Sequence, residues 1–233
     1  MAKKTAKNTE AAMRTLIIDN GSQYLKKIEE HVNTAASEKN IDKHEVVRLS
    51  PSEVQDMYNK DKQFLNRFNY VISSGSSKYS KADTEFHNDL KEKLSDSDST
   101  FLGVCHGAQQ YATSHGAELK KGEYMHQGKR ESRVVKYHDS LKGIHNEGKI
   151  SQYGHHKWFV PNNNKASNLE IIAEGETKSG EKFVEMYKVK GKEHYGVQFH
   201  PEKGDGKVIK NLFEQAYRRN MKDNSVKEYK NAA

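Results

Sequence analysis

STFLGVCHGAQQYA, residues 99 to 112, carries an apolar run straight into a helix-compatible run through a single cysteine. STFLGVC (99–105) holds no charge, which is the composition of a strand buried on both faces. Ala108, Gln109, Tyr111 and Ala112 suit a helix that starts at once after Cys105. A residue on so sharp a strand-to-helix turn is strained, and the glycines two places before and two places after it let the two backbones approach closely. The Cys105 thiol is therefore expected at the carboxyl edge of a sheet. There the free N–H groups and dipole of the helix favour the thiolate, the nucleophilic form. A lone cysteine also reads as a small buried hydrophobe, and it is the elbow pattern around this one that argues for chemistry.

Outward from this elbow the chain alternates strand and helix. TLIID (15–19) reads as a strand, and SQYLKKIEEHVNTAASE (22–38) has helical spacing at Tyr24, Ile28 and Val32. HEVVRL (44–49) is a second strand, Ser50-Pro51 suits a helix start, and YVIS (70–73) runs into the small-residue loop SSGSS (73–77) ahead of a helix over about 82–94. Such alternation predicts a parallel sheet covered on both faces. After Gly116 the short segments ESRVVKYH, GKISQY, LEIIAE, KFVEMYKV and HYGVQF predict an antiparallel extension, and KVIKNLFEQAYRRN (207–220) closes the chain as a helix. The expected fold class is α/β, a mostly parallel central sheet with helices on both faces plus a small antiparallel extension. One domain over 14–220 is expected between polar tails at 1–13 and 221–233.

Composition narrows the function classes. Of 233 residues, 33% are hydrophobic and 30% charged, with a net charge of +7; mean hydropathy is −1.02. The lysines are scattered among 32 acidic residues rather than gathered into a stripe with aromatics, so a solvated basic surface is expected rather than a nucleic-acid site. No run approaches the roughly 20 apolar residues of a membrane span, and no apolar segment follows the first lysines, so a soluble cytoplasmic protein is expected.

A thiol nucleophile needs a base, and there are 12 histidines. YGVQFHPEKG (195–204) selects one of them. In an extended segment residues i and i+2 share a side, so Glu202 can orient His200 and favour its charged form, with Pro201 stiffening the link. The loop at 73–77 lies after a strand of the same sheet, which lets Gly75 present a backbone N–H beside Cys105. His106, next after the cysteine, supplies a second candidate oxyanion donor. His126, His138 and His145 lack a metal-ligand spacing, and no metal site is expected. Trp158 is expected in the core.

These segments together resemble the class I (triad-type) glutamine amidotransferases. GVCHGAQ is like their G-x-C-x-G-x-Q and VQFHPE like their base segment; DNGSQY (19–24), KKGEY (120–124) and HYGVQFHPE are similar to segments of the glutaminase subunit or domain of GMP synthase. The resemblance implies a flavodoxin-like amidotransferase fold. It implies Cys105 as nucleophile, His200 as general base and acid, Glu202 as its orienter, and Gly75 and His106 as oxyanion donors. It further implies Gln109, His155 and His156 as contacts of a glutamine substrate, no cofactor, and a separate ATP-dependent synthetase as the recipient of ammonia. This sequence departs from the family where S-G-G-P reads Ser73-Ser74-Gly75-Ser76, in GHHKW (154–158), and in KGDG after Glu202. Two other readings stay open: a stand-alone γ-glutamyl or peptide hydrolase, and a structural or interaction protein on the same scaffold whose basic tails hold a polyanion or a larger assembly.

Overall fold

The structure is a computed structural model that describes residues 13–76, 81–163 and 166–231. The expected tail at 1–13 lies outside these residues except for Met13. The chain runs β1 (Met13–Ile18), α1 (Leu25–Glu38), β2 (His44–Leu49), α2 (Pro51–Lys60), β3 (Tyr70–Ser73), α3 (Lys81–Lys93), β4 (Thr100–Val104) and α4 (His106–Ser114). It continues through β5 (Lys120–Val134), β6 (His145–Asn146), β7 (Lys149–Phe159), β8 (Leu169–Glu176), β9 (Lys182–Val189), β10 (His194–Val197) and α5 (Lys207–Asn231). Short 3-10 turns are interspersed.

All ten strands form one sheet in the order β2-β1-β3-β4-β10-β9-β8-β5-β7-β6. Of the first five, β2, β1, β3 and β4 pair in parallel as the βα alternation requires, and β10 joins them in parallel beside β4. Successive residues of each buried strand feed opposite layers. Ile17, Ile72 and Leu102 meet α1 and α5 on one face, while Leu16, Ile18, Val71 and Phe101 meet the layer of α2 and α4 on the other. Helix α2 starts as its sequence dictates. Ser50 and Glu53 close a reciprocal capping box in front of Pro51.

Two expectations are corrected. The sheet is not mostly parallel: four strand pairings are parallel and five antiparallel among the described residues, so the extension is as large as the parallel half. The cause is β5 and β7, far longer than their apolar patches, which pair through an exposed and largely polar ribbon. Nor does HYGVQF lie wholly in the antiparallel extension, since as β10 it pairs with β4 in parallel. With no Gly or Pro after Gly206 to stop it, α5 continues to Asn231.

The elbow explains both glycines. A Cβ on Gly107 would lie 2.4 Å from the Ser73 carbonyl oxygen, and one on Gly103 would lie 2.7 Å from the Ala108 backbone. Neither obstacle is a flexible side chain that can swing away. Gly107→Ala and Gly103→Ala are each expected to cost about 3 kcal/mol in urea unfolding, as forced overpacking does. Gly154→Ala, whose Cβ meets nothing nearer than 3.5 Å, is the control. Equal stability of all three variants would contradict the close-approach account.

Candidate active site

Cys105 follows β4 directly and caps α4 with φ 48° and ψ −103°, a positive-φ conformation that an L-residue with a side chain adopts only under constraint. The constraint comes from both sides. Its N–H donates to the Val197 carbonyl on β10 at 2.7 Å, and its carbonyl accepts from Gln109 N–H at 2.9 Å, the first turn of α4. With the backbone pinned at both ends, the thiol is raised into a cleft of about 390 Å³ at the carboxyl edge of the parallel strands, a volume suited to a small molecule.

His200 faces the same cleft. Its N–H is tied to the Tyr153 carbonyl at 2.8 Å, and its Nδ1 lies 2.7 Å from Glu202 Oε1. Glu202 is fully buried and His200 nearly so. Burial by itself would push the imidazole toward neutrality. Hydrogen bonds and charge attraction from Cys105 and Glu202 outweigh it and raise His200 to about 10. Lys203, stacked on the rings of Tyr153 and Tyr24, fixes the segment that follows, and Tyr24 also meets the His200 ring edge-on.

Gly75 lies where β3 ends. A Cβ there would be 3.3 Å from His200 Cε1 and 3.7 Å from Cys105 Cβ, so only bare backbone fits comfortably beside both. The loop is held by Asn20. Its N–H donates to Ser74 Oγ at 3.0 Å, and its side-chain amide donates to the Ser74 carbonyl and Ser73 Oγ at 2.7 and 2.9 Å. Ser74 stands at a position where the resembled pattern has glycine, and its hydroxyl is what Asn20 grips. The His106 ring is turned against buried His87, while its main chain opens α4 directly after Cys105.

The remaining expected residues separate. Gln109 lines the cleft, but its Nε2 already donates to the Trp158 carbonyl at 2.6 Å and to Gln198 Oε1 at 3.0 Å. His155 is exposed on the cleft wall, and its carbonyl lies 3.9 Å from Cys105 Sγ. His156 is buried at the cleft's back, its ring stacked on His126 and its Nδ1 3.1 Å from the Trp158 carbonyl. Trp158 is not core. At 44% exposure it stands on the rim, because the inside-outside alternation of β7 breaks after His156, opposite a register irregularity in β5, and Phe159 takes the buried place. Among the described residues no three His, Cys, Asp or Glu side chains converge as metal ligands would.

The residue that reading the sequence missed is Gln198, whose Nε2 lies 3.6 Å from Cys105 Sγ. The signal was present: the period-two rule that joins His200 to Glu202 reaches Gln198 by one more step.

A family model described as glutamine amidotransferase class-I matches residues 16–219. The chain belongs to the class I glutamine amidotransferases. It is 31% identical over 194 residues to a glutamine-hydrolyzing GMP synthase of Cytophaga hutchinsonii, covering 81% of this chain and 33% of that one. It is 28% identical to a glutamine-hydrolyzing GMP synthase subunit of Methanocaldococcus jannaschii, over 80% of this chain and 87% of the relative. The chain thus spans about a third of the Cytophaga enzyme and most of the archaeal subunit. Solved structures share the fold: a GMP synthase subunit protein of Thermoplasma acidophilum (TM-score 0.70, 16% identity, 93% of this chain and 98% of that one), and the CTPS glutaminase domain of Trypanosoma brucei with bound acivicin (TM-score 0.71, 13% identity, 89% and 94%). No helix among the described residues of this amidotransferase is long and apolar enough to cross a membrane.

Proposed function

We propose that this amidotransferase hydrolyses the side-chain amide of glutamine through a thioester on Cys105 and delivers the ammonia to an ATP-dependent synthetase carried on a separate chain. The observation that carries the reading is the meeting, in one cleft, of a thiol on a strained elbow with an imidazole that Cys105 and a buried carboxylate together hold charged. In this scheme the Cys105 sulfur attacks the amide carbon, and the oxyanion that forms is met by the N–H groups of Gly75 and His106. His200 gives its proton to the departing nitrogen, the C–N bond breaks, and ammonia leaves a γ-glutamyl thioester. His200, now neutral, takes a proton from water as its oxygen attacks the thioester carbon. The thiolate departs, glutamate is released, and His200 is again protonated. Gln109 and His155 meet the substrate in the cleft, with His156 supporting them from behind. The likeness to GMP synthases makes a purine nucleotide synthetase the first partner to try, and the match to most of an archaeal GMP synthase subunit supports a separate chain.

The test is incubation with glutamine, alone and with candidate synthetases plus ATP, reading glutamate and ammonia. Release, and modification of Cys105 by a glutamine-analogue electrophile, are the expected results. A rise in release with one synthetase identifies the partner. No release under any condition, together with failure of the electrophile to label Cys105, overturns the reading in favour of a binding role.

A further inference from the structure

Cys105 Sγ has a polar neighbour besides His200. Gln198, buried on the segment between β10 and His200, brings its side-chain nitrogen to 3.6 Å from the sulfur. Which end of a glutamine amide faces a given atom is a matter of its hydrogen-bond network, and here the network has one consistent solution. The Trp158 carbonyl can only accept, so the Gln109 atom 2.6 Å from it is the NH2 group. The same NH2 lies 3.0 Å from the Gln198 side chain, so the Gln198 atom that meets it is the oxygen. The Gln198 NH2 is left facing sulfur. Rotating the Gln198 amide by half a turn would set two NH2 groups against each other and a carbonyl oxygen against the sulfur.

We propose that Gln198 is a positioning residue that donates a hydrogen bond to the Cys105 thiolate, and that Gln109, anchored on the Trp158 carbonyl, dictates the direction of that bond. The relay joins three parts of the fold. Trp158 belongs to the antiparallel extension, Gln109 to the first turn of the elbow helix, and Gln198 to the strand segment that leads to His200. Its main chain is anchored as well, Gln198 N–H donating to the Glu185 carbonyl at 2.9 Å. Because an amide does not titrate, this donor persists when His200 passes its proton to the leaving nitrogen. Gln109 therefore acts on the nucleophile as well as on the substrate. The inference rests on Cys105 as the nucleophile and deepens that reading.

Cys105 is the chain's one cysteine, so alkylation of the full chain reports on this sulfur alone and needs no glutamine. Iodoacetamide labelling rates are measured from pH 6 to 10 for wild type, Gln198→Met and Gln109→Met, with circular dichroism as the check on folding. Removing a hydrogen bond to a charged group is expected to raise the midpoint of labelling by about one pH unit in Gln198→Met, and so to slow labelling about tenfold at pH values below the wild-type midpoint. Gln109→Met, which frees the Gln198 amide to turn, is expected to shift the midpoint in the same direction by less. An unchanged labelling profile in folded Gln198→Met overturns the proposal. Should that variant not fold, an unchanged profile in Gln109→Met overturns it instead. A midpoint shift in a protein that releases no glutamate with any synthetase, and whose Cys105 the glutamine-analogue electrophile does not label, would leave this inference standing and overturn the glutaminase reading.

Discussion

His200→Ala is expected to lower kcat/KM for glutamine by about ten-thousand-fold, and adding Glu202→Gln to it is expected to change little further, because members of one catalytic unit are not additive. Glu202→Gln alone is expected to be the milder change, about a hundredfold. Its pH profile is the more telling measurement. Burial of His200 opposes its charge, and the hydrogen bonds and charges of Cys105 and Glu202 reverse that and raise it to about 10. Activity that depends on a protonated His200 extends into alkaline pH in the wild type. Removing one of the two anions moves the alkaline limb of kcat/KM toward neutrality in Glu202→Gln. The same shift carries a stability term of defined sign. Since His200 is raised above its unfolded value near 6.5, its contribution is fully present below about pH 6.5 and is lost as pH rises through about 10. A Glu202→Gln profile that superimposes on the wild type would refute the role given to the carboxylate.

Acid should unfold this protein through its other histidines. His194, His156 and His115 are held neutral chiefly by burial, assisted by neighbouring cations, at about 3, 3 and 4. His194 is bonded to the hydroxyl of Tyr111 at 2.7 Å behind the elbow helix. His156 is packed with His126 and Arg130. Their values lie below the unfolded one, so the unfolded chain binds more protons. The stability they contribute is complete above about pH 6.5 and is lost as pH falls from there toward 3. His200 does not share this acid loss, its term being intact at low pH. Three such groups amount to a loss on the order of 5–10 kcal/mol by pH 4, comparable to the whole stability of an ordinary domain. The expected result is a melting temperature that falls steadily from pH 6.5 and an acid transition complete near pH 4. His194→Gln should reduce the slope of stability against pH in this range by about one proton, or about 1.4 kcal/mol per pH unit. Equal melting temperatures at pH 7 and pH 5 would contradict this account.

The parts of the site that were legible in the sequence are those whose chemistry is written in local spacing. Gly103 and Gly107 announce the elbow because no side chain fits where strand and helix cross, and His200 and Glu202 announce their pairing because an extended chain returns to the same side every second residue. The parallel pairing of the first four strands was legible too, since βα alternation requires it, whereas the parallel placing of β10 beside β4 was not. The size of the antiparallel half was not, because β5 and β7 are held by main-chain pairing of a polar ribbon that leaves little hydrophobic pattern to read.

By itself, then, the sequence determined the elbow, the pairing of His200 with Glu202, and the family, because each depends on neighbours within a few residues. Tertiary structure alone decided what surrounds the sulfur. It turned Trp158 outward and His156 inward, set Asn20 on the loop of Gly75, and brought Gln109 and Gln198, 89 positions apart, to 3.0 Å. A buried polar atom takes whichever partner the packed layers bring within reach, and distance along the chain carries no record of that.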